Sequence, residues 1–333
     1  MSVLVTEPAP AKINLCLFLG PTRADGRHQL VTLFDSLTLY DELEIAEGES
    51  DQVICDGVDG PNLVAGALSA LRAAGWDAPA LMVRIRKRIP IGAGMGGGSA
   101  DAAALLRLAP RLAPVADETL TEIAVGLGAD VPGQLRPGPS LATGAGEIVK
   151  PLAPLPPYGV LVLPQPFPLS TADVYREADR LGLPRRAREL ASLQAELTAE
   201  LPGELTGELA GEPAGELTGE LTGELAGEPA GEPPGELPAA LRAALPERLI
   251  VNDLQPAALS LRAEVAEGLT RAVDAGADRA IVCGSGPTAI GIFWGQGGPD
   301  RAAAAATRLR PAHPGAVAAQ PVGRGVRSPM ANE

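Results

Sequence analysis

The chain has 333 residues, of which 46% are hydrophobic and 3% aromatic, and its net charge is −14. This length is enough for roughly two domains, and the negative charge argues against nucleic acid or an acidic membrane surface as a partner. Nine of the negative charges are glutamates of one repeat between residues 203 and 238, and the rest of the chain, at −5, has the charge of an ordinary soluble protein.

The cysteines and the N-terminal sequence indicate a location. Three cysteines are widely spaced, with no CxxC pair, as expected for reduced thiols in the cytoplasm. The first residues lack a basic segment followed by a long apolar run, and no run of eighteen apolar residues occurs. We therefore expect a cytoplasmic protein without a signal peptide or membrane span.

The first ninety residues predict a mixture of strands and a helix. Residues 11–19 begin with polar–apolar alternation and predict a strand, on which Lys12 and Asn14 share one face because side chains repeat every two residues. A turn at 23–26 precedes Arg27 and His28. Further along we predict apolar runs at 30–39 and 42–46, a helix at 62–74 capped by Asn62, and a strand at 81–87 with one apolar and one basic face.

A glycine-rich stretch follows that strand. Five glycines fall within the seven residues 92–98, directly before an alanine- and leucine-rich segment. Backbone N–H groups of such a loop, together with the positive end of a helix dipole, bind anions. We predict a phosphate-binding loop and a helix at 99–109, capped by Ser99 and closed by Pro110.

The remaining elements are predicted from periodicity and from turn residues. They are a helix at 117–127, a turn at 129–132 that presents Asp130 at a helix end, a linker at 151–157 with a domain boundary near 155, a strand at 160–164, a helix from 170 to 181, an ordered segment at 249–254, a helix at 256–275, strands at 280–283 and 289–293, a helix at 299–310 and a strand near 317.

Residues 203–238 are nine tandem tetrads of the type GELx or GEPx. Glycine in every tetrad and recurring proline disfavour a helix, and at most one leucine per tetrad cannot build a core. We predict a disordered acidic insertion over 196–238 and a flexible tail at 324–333. An extended protein-binding role for the insertion stays open.

Two other phosphate-binding loops can be compared with the glycine stretch. Residues 92–97 satisfy GxGxxG, but the preceding strand carries Arg84, Arg86 and Lys87, whereas a central Rossmann strand is buried on both faces. A P-loop is excluded because no Gly-Lys-Ser/Thr follows. A plain glycine-rich turn is the remaining alternative.

The loop resembles the phosphate loop of the GHMP superfamily of small-molecule kinases, with Met95 in place of the usual leucine. Other motifs are similar, in the same chain order, to one family within it, the 4-diphosphocytidyl-2-C-methyl-D-erythritol kinases. These motifs are PAKINL at 10–15, RADGRH at 23–28, GADVP at 128–132, NDL at 252–254 and GSGPT at 284–288. The resemblance covers nearly the whole chain except 196–238 and the last ten residues.

The resemblance implies an α+β, two-domain GHMP kinase fold. An N-terminal ATP-binding domain, residues 1–155, would hold the glycine loop, and a ferredoxin-like C-terminal domain, residues 156–323, would contain the insertion. It also implies ATP-dependent phosphorylation of the 2-hydroxyl of a cytidyl diphosphate polyol, in the non-mevalonate pathway of isoprenoid synthesis. The implied cofactors are ATP and Mg²⁺, and we expect a monomer or homodimer with a small-molecule substrate.

The resemblance also assigns roles to residues. Lys12 and Asp130 carry over as the catalytic pair, a cation and a base, and Asn14, Arg27, His28 and Tyr175 are the candidate substrate residues. No metal ligand is assigned, although Ser99 is a candidate to assist Mg²⁺. ATP is expected on Pro90, Ile91, Gly92, Ala93, Gly94, Met95, Gly96, Gly97, Gly98, Ser99 and Ala100.

Two positions depart from the family pattern. Arg27 stands where tyrosine is usual, so that a guanidinium would stack on the base or pair with the diphosphate. Ala100 replaces a serine, which removes one phosphate contact but leaves those of the backbone. The alternatives are another GHMP kinase, of homoserine or mevalonate type, and an inactive sensor of nucleotide or sugar phosphate.

Overall fold

The computed structural model describes residues 4–57, 60–201 and 247–322. The acidic tetrads and the predicted tail at 324–333 lie outside these ranges. One boundary needs correction, because residues 187–200 form a helix and the predicted insertion therefore does not begin at 196.

The first sheet has six strands, two of them long. Their order is β3-β4-β2-β5-β6, and β1 pairs with β2 outside this path. Only β3 and β4 run parallel, and the register of β1 on β2 places Lys12 opposite Ser36 and Asn14 opposite Phe34. The strands are β1 Val5–Thr22, β2 His28–Glu47, β3 Gln52–Cys55, β4 Leu81–Arg86, β5 Ser140–Thr143 and β6 Ile148–Pro151.

Helices packed beside this sheet carry the glycine loop and the candidate base. They are α1 Leu63–Ala73, α2 Gly97–Leu112, α3 Asp117–Leu127 and the single turn α4 Val131–Gln134. Asn62 caps α1 as predicted, since its side chain accepts from the Val64 N–H. Asp130 stands at the N-cap position of α4, which agrees with its predicted place at a helix end.

The boundaries of α2 differ from the prediction in two ways. The helix begins at Gly97 after Gly96 in the left-handed conformation, so Ser99 lies inside the first turn and does not cap it. Pro110 also lies inside the helix, which continues to Leu112. A proline so close to a helix end removes one backbone hydrogen bond without breaking the helix.

The second sheet is antiparallel, in the order β10-β7-β9-β8. Its strands are β7 Tyr158–Leu163, β8 Arg279–Val282, β9 Ala289–Trp294 and β10 Val317–Ala319. The helices of this half are α5 Thr171–Arg180, α6 Ala187–Glu200, α7 Gln255–Leu261, α8 Val265–Asp274 and α9 Gly298–Leu309. The chain order of this half is β7, then the helices α5 to α8, then β8 and β9, then α9 and β10. This is the βαββαβ order of a ferredoxin-like fold, and it confirms the predicted α+β class.

Other elements of the secondary structure were not predicted correctly either. The helix predicted at 256–275 is two helices, because Arg262 has an extended backbone. Strands β3, β5 and β6 and helix α6 were not predicted at all.

The two sheets share hydrophobic packing. One cluster of buried side chains includes Ile13 and Leu33 of the first sheet and Tyr158 and Val160 of the second. The predicted boundary near residue 155 falls between β6 and β7, and the division into domains at that point stays a prediction. No helix in the described ranges is long and apolar enough to cross a membrane.

Candidate active site

The glycine loop lies between β4 and α2 and packs against the turn that joins β8 to β9. Gly94 has a φ of +73°, and a Cβ on it would lie 2.3 Å from the carbonyl oxygen of Cys283. Only glycine combines this backbone conformation with such close approach. The loop of the first half and the turn of the second half therefore meet backbone to backbone.

A cavity of ≈320 Å³, the loop cavity, is lined by residues 89–99 together with Asn62, Lys87 and Asp101. Helix α2 begins at this cavity. The first backbone N–H groups of a helix have no hydrogen-bond partner inside the helix. They and the helix dipole favour an anion. The predicted ATP residues Pro90 to Ser99 line this cavity, whereas Ala100 is fully buried behind it.

A buried ion network underlies the loop cavity. Lys87 Nζ donates to Asp41 Oδ2 at 2.5 Å and to Asp101 Oδ2 at 2.7 Å. The other oxygen of Asp41 accepts from the backbone N–H groups of Arg88 and Ile89, which lead into the loop. Burial raises the pKa of Asp101 to about 7 in spite of the Lys87 ammonium. Sequence reasoning missed this network, since its members are 14 and 46 residues apart.

A second cavity, the cleft cavity of ≈330 Å³, adjoins the first. It is lined by Lys12, Asn14 and Thr32 of the first sheet, by Asp130 and by Tyr175 of α5. Three further residues, Gly94, Gly96 and Ser99, line both cavities. A group bound in one cavity is therefore next to a group bound in the other.

Lys12 and Asp130 meet where the cavities join. Lys12 Nζ lies 3.5 Å from Asp130 Oδ2 and donates to Asn14 Oδ1 at 2.8 Å. The Lys12 side chain is only 8% exposed, whereas that of Asp130 is 49% exposed and faces the cavity. The arrangement offers a held cation beside an accessible carboxylate, which suits electrostatic and general-base roles.

The predicted substrate residues do not all reach the cleft cavity. Tyr175 lines it, and burial, with a smaller effect of the Asp130 charge, raises the pKa of its phenol to about 12. His28 is buried beside Tyr175, and the centroids of their two rings are 5.5 Å apart. The ring nitrogens of His28 contact the Gly20 carbonyl and the Asp179 carboxylate. Arg27 is exposed, pairs with Asp25 and is not among the residues that line either cavity.

Two hydroxyl contacts at the cleft were also missed. Thr171 Oγ1 and Ser285 Oγ lie 3.0 Å apart, which joins the start of α5 to the β8–β9 turn. Thr32 Oγ1 accepts from Asn14 Nδ2 at 2.8 Å. The GSGPT motif signalled the turn, but a pairing across 114 residues has no local signature.

Comparisons with known proteins agree with this geometry. Residues 62–138 match the family model of the GHMP kinases N terminal domain. The chain is 35% identical over 300 residues to the 4-diphosphocytidyl-2-C-methyl-D-erythritol kinase of Pelotomaculum thermopropionicum, a match that covers 87% of this chain and 89% of that one. The chain belongs to the 4-diphosphocytidyl-2-C-methyl-D-erythritol kinase family.

Solved structures agree with membership of this kinase family. A crystal structure of a 4-(cytidine 5'-diphospho)-2C-methyl-D-erythritol kinase is similar with a TM-score of 0.66 and 30% identity, over 96% of this chain and all of that one. Homoserine kinase from Cytophaga hutchinsonii, at 17% identity, a TM-score of 0.62 and coverage of 97% and 95%, shares the fold. The protein is thus an ATP-dependent GHMP small-molecule kinase.

Proposed function

We propose that this kinase phosphorylates the 2-hydroxyl of 4-diphosphocytidyl-2-C-methyl-D-erythritol with ATP, a step of non-mevalonate isoprenoid precursor synthesis. The observation that carries the proposal is the junction of two cavities at Gly94, Gly96 and Ser99, with Lys12 and Asp130 beside it. The loop cavity suits the triphosphate and the cleft cavity the acceptor alcohol. The curated relative from Pelotomaculum thermopropionicum carries the name of this activity.

The reaction needs a base for the hydroxyl proton and a cation for the charge that develops on the transferred group. In our proposal Asp130 takes the proton as the acceptor oxygen forms its bond to the γ-phosphorus, and the bond from that phosphorus to ADP breaks. Lys12 stabilises the developing negative charge, and Asn14 orients Lys12 and the acceptor polyol. Tyr175 stacks on the cytosine ring.

We further propose that Mg²⁺ enters with ATP. The described residues contain no group of three or more His, Cys, Asp or Glu that could hold a metal ion by themselves. This fits a magnesium ion held mainly by phosphate oxygens and water. Bound there, the ion would neutralise phosphate charge, and the protein groups available to it are the Ser99 hydroxyl and the buried Asp101 Oδ1, which has no hydrogen-bond partner in the described chain.

An assay of ADP release with a panel of acceptor alcohols tests the proposal. We expect turnover with the cytidyl diphosphate alcohol, and at least 100-fold lower kcat/KM with homoserine or mevalonate, because a site built for polar groups rejects analogues that leave those groups unpaired. Preference for homoserine or mevalonate would move the protein to another GHMP activity. ATP binding without turnover of any alcohol would favour a sensor.

A cytoplasmic location, a monomeric or homodimeric state, and the lack of nucleic-acid and membrane partners stay predictions.

A further inference from the structure

Arg107 lies in the middle of α2, away from both cavities, with a guanidinium that the reaction does not use. Its side chain is only 15% exposed, and so is that of its ionic partner Glu7, whose Oε1 accepts from Arg107 Nε at 3.1 Å. Guanidinium groups are seldom buried unless their donors are paired. The other hydrogen-bond partners of Arg107 therefore indicate its structural role.

The remaining nitrogens of Arg107 bind two backbone carbonyls on different elements. Nη2 donates to the Pro8 carbonyl at 2.6 Å, and Nη1 donates to the Gln134 carbonyl at 2.7 Å. Pro8 lies on β1, four residues before Lys12, and Gln134 ends α4, four residues after Asp130. One rigid, planar group thus connects the segment that carries Lys12 to the segment that carries Asp130.

Helix α4 packs closely on its neighbours, with Val131 and Gln134 fully buried and Gly133 against Phe34, and the bond from Arg107 to the Gln134 carbonyl adds a hydrogen bond from α2. It is a single helical turn, and Asp130 makes no capping hydrogen bond to it. Lys12 is held independently of α4, because it lies on β1 and its backbone N–H donates to the Met95 carbonyl of the glycine loop at 3.0 Å. The distance from Lys12 to Asp130 therefore depends on how α4 is held against β1 and α2.

We propose that Arg107 is a positioning residue that sets the placement of Asp130 relative to Lys12. The inference rests on the proposed function only in that it takes these two residues as the reacting pair. Misplacement of a catalytic group by about 1 Å lowers a rate by as much as 10²-fold. Loss of the Arg107 hydrogen bonds to the Pro8 and Gln134 carbonyls should consequently lower kcat and leave the binding of ATP and acceptor nearly unchanged.

The test compares Arg107→Met and Arg107→Lys with a matched control, Arg301→Met. Arg301 also binds a buried carboxylate, Asp278, and a backbone carbonyl, that of Gly276, but it lies on α9, and neither cavity includes it. We expect Arg107→Met to lower kcat roughly tenfold to a hundredfold, with KM values within about twofold. Arg107→Lys should retain part of the rate, and Arg301→Met should lose stability with kcat within about twofold.

Combination with Asp130→Asn separates positioning from general damage. If Arg107 acts through Asp130, Arg107→Met should reduce the residual rate of Asp130→Asn less than about twofold. A full additional loss, or a kcat for Arg107→Met and Arg107→Lys no lower than that of Arg301→Met, would overturn the proposal. If the wild type phosphorylates none of the alcohols, the proposed function fails, and the same comparison is made on basal ATP hydrolysis, where water replaces the acceptor and the same contrast is expected.

Discussion

Thr32 supports Lys12, the proposed catalytic cation, through one intermediate side chain. Its hydroxyl donates to the Cys16 carbonyl and accepts from Asn14, which in turn accepts from Lys12. Thr32→Val keeps the shape of the side chain and leaves the buried Asn14 amide without an acceptor, at a cost of about 1 kcal/mol or more. We expect kcat to fall about fivefold in steady-state assays, whereas Thr38→Val, at an exposed hydroxyl, should leave it unchanged. Equal rates for the two variants would contradict the role of Thr32.

Tyr175 and Arg27 are competing candidates for contact with the cytosine ring of the substrate. Tyr175 lines the cleft cavity, whereas Arg27 is paired with Asp25 in an exposed turn. An aromatic stacking contact contributes about 1 kcal/mol beyond the area that it buries. We expect Tyr175→Leu to raise the acceptor KM about tenfold without changing the KM of ATP, and Arg27→Ala to change neither more than about twofold. A larger effect of Arg27→Ala would show that the turn closes on the substrate.

The glycine loop should tolerate substitution at one glycine and not at another. Gly92 and Gly94 both have φ near +70°, so alanine is strained by about 1 kcal/mol at either position. A Cβ at position 92 meets nothing within 4 Å, whereas at position 94 it meets the Cys283 carbonyl. We expect Gly94→Ala to weaken ATP binding at least tenfold in calorimetry, and Gly92→Ala no more than about fivefold. Similar affinities would show that the close packing of loop and turn is unimportant.

A buried carboxyl joins the two sheets of the molecule. Asp35 of β2 is fully buried and accepts from Tyr158 Oη of β7 at 2.9 Å. Burial raises its pKa to about 7, in spite of the opposing hydrogen bonds from Tyr158 and the Ser36 N–H. Between pH 5 and 7 the folded protein then holds a proton that the unfolded chain, with a carboxyl pKa near 4, has lost.

Stability should consequently fall as the pH rises through this range. The loss due to Asp35 is about 2 kcal/mol between pH 5 and pH 7, since the folded state binds more protons than the unfolded state. Asp35→Asn stays neutral, so its free energy of unfolding in urea should lack this pH-dependent loss. The stability of the variant should therefore rise relative to that of the wild type as the pH rises. A constant difference between the two proteins from pH 5 to pH 7 would refute the raised pKa.

Across the whole molecule, the features that could be predicted were those that depend on neighbouring residues. The Asn62 cap, the alternation that places Lys12 beside Asn14, and the glycine loop each follow from a few consecutive residues. The four-residue strands β3, β5 and β6 were missed because so short a segment carries little periodicity. Contacts such as Lys87 with Asp41 or Arg107 with Gln134 depend on how distant elements pack, and sequence reasoning did not identify them.

The central claim is that Asp130, held beside Lys12 where the two cavities meet, takes the proton of the acceptor alcohol. Single-turnover transfer from labelled ATP, measured for Asp130→Asn alongside ATP affinity, tests it most directly. The account predicts a loss of at least 100-fold in the transfer rate with ATP affinity within about threefold. Turnover close to that of the wild type would contradict it.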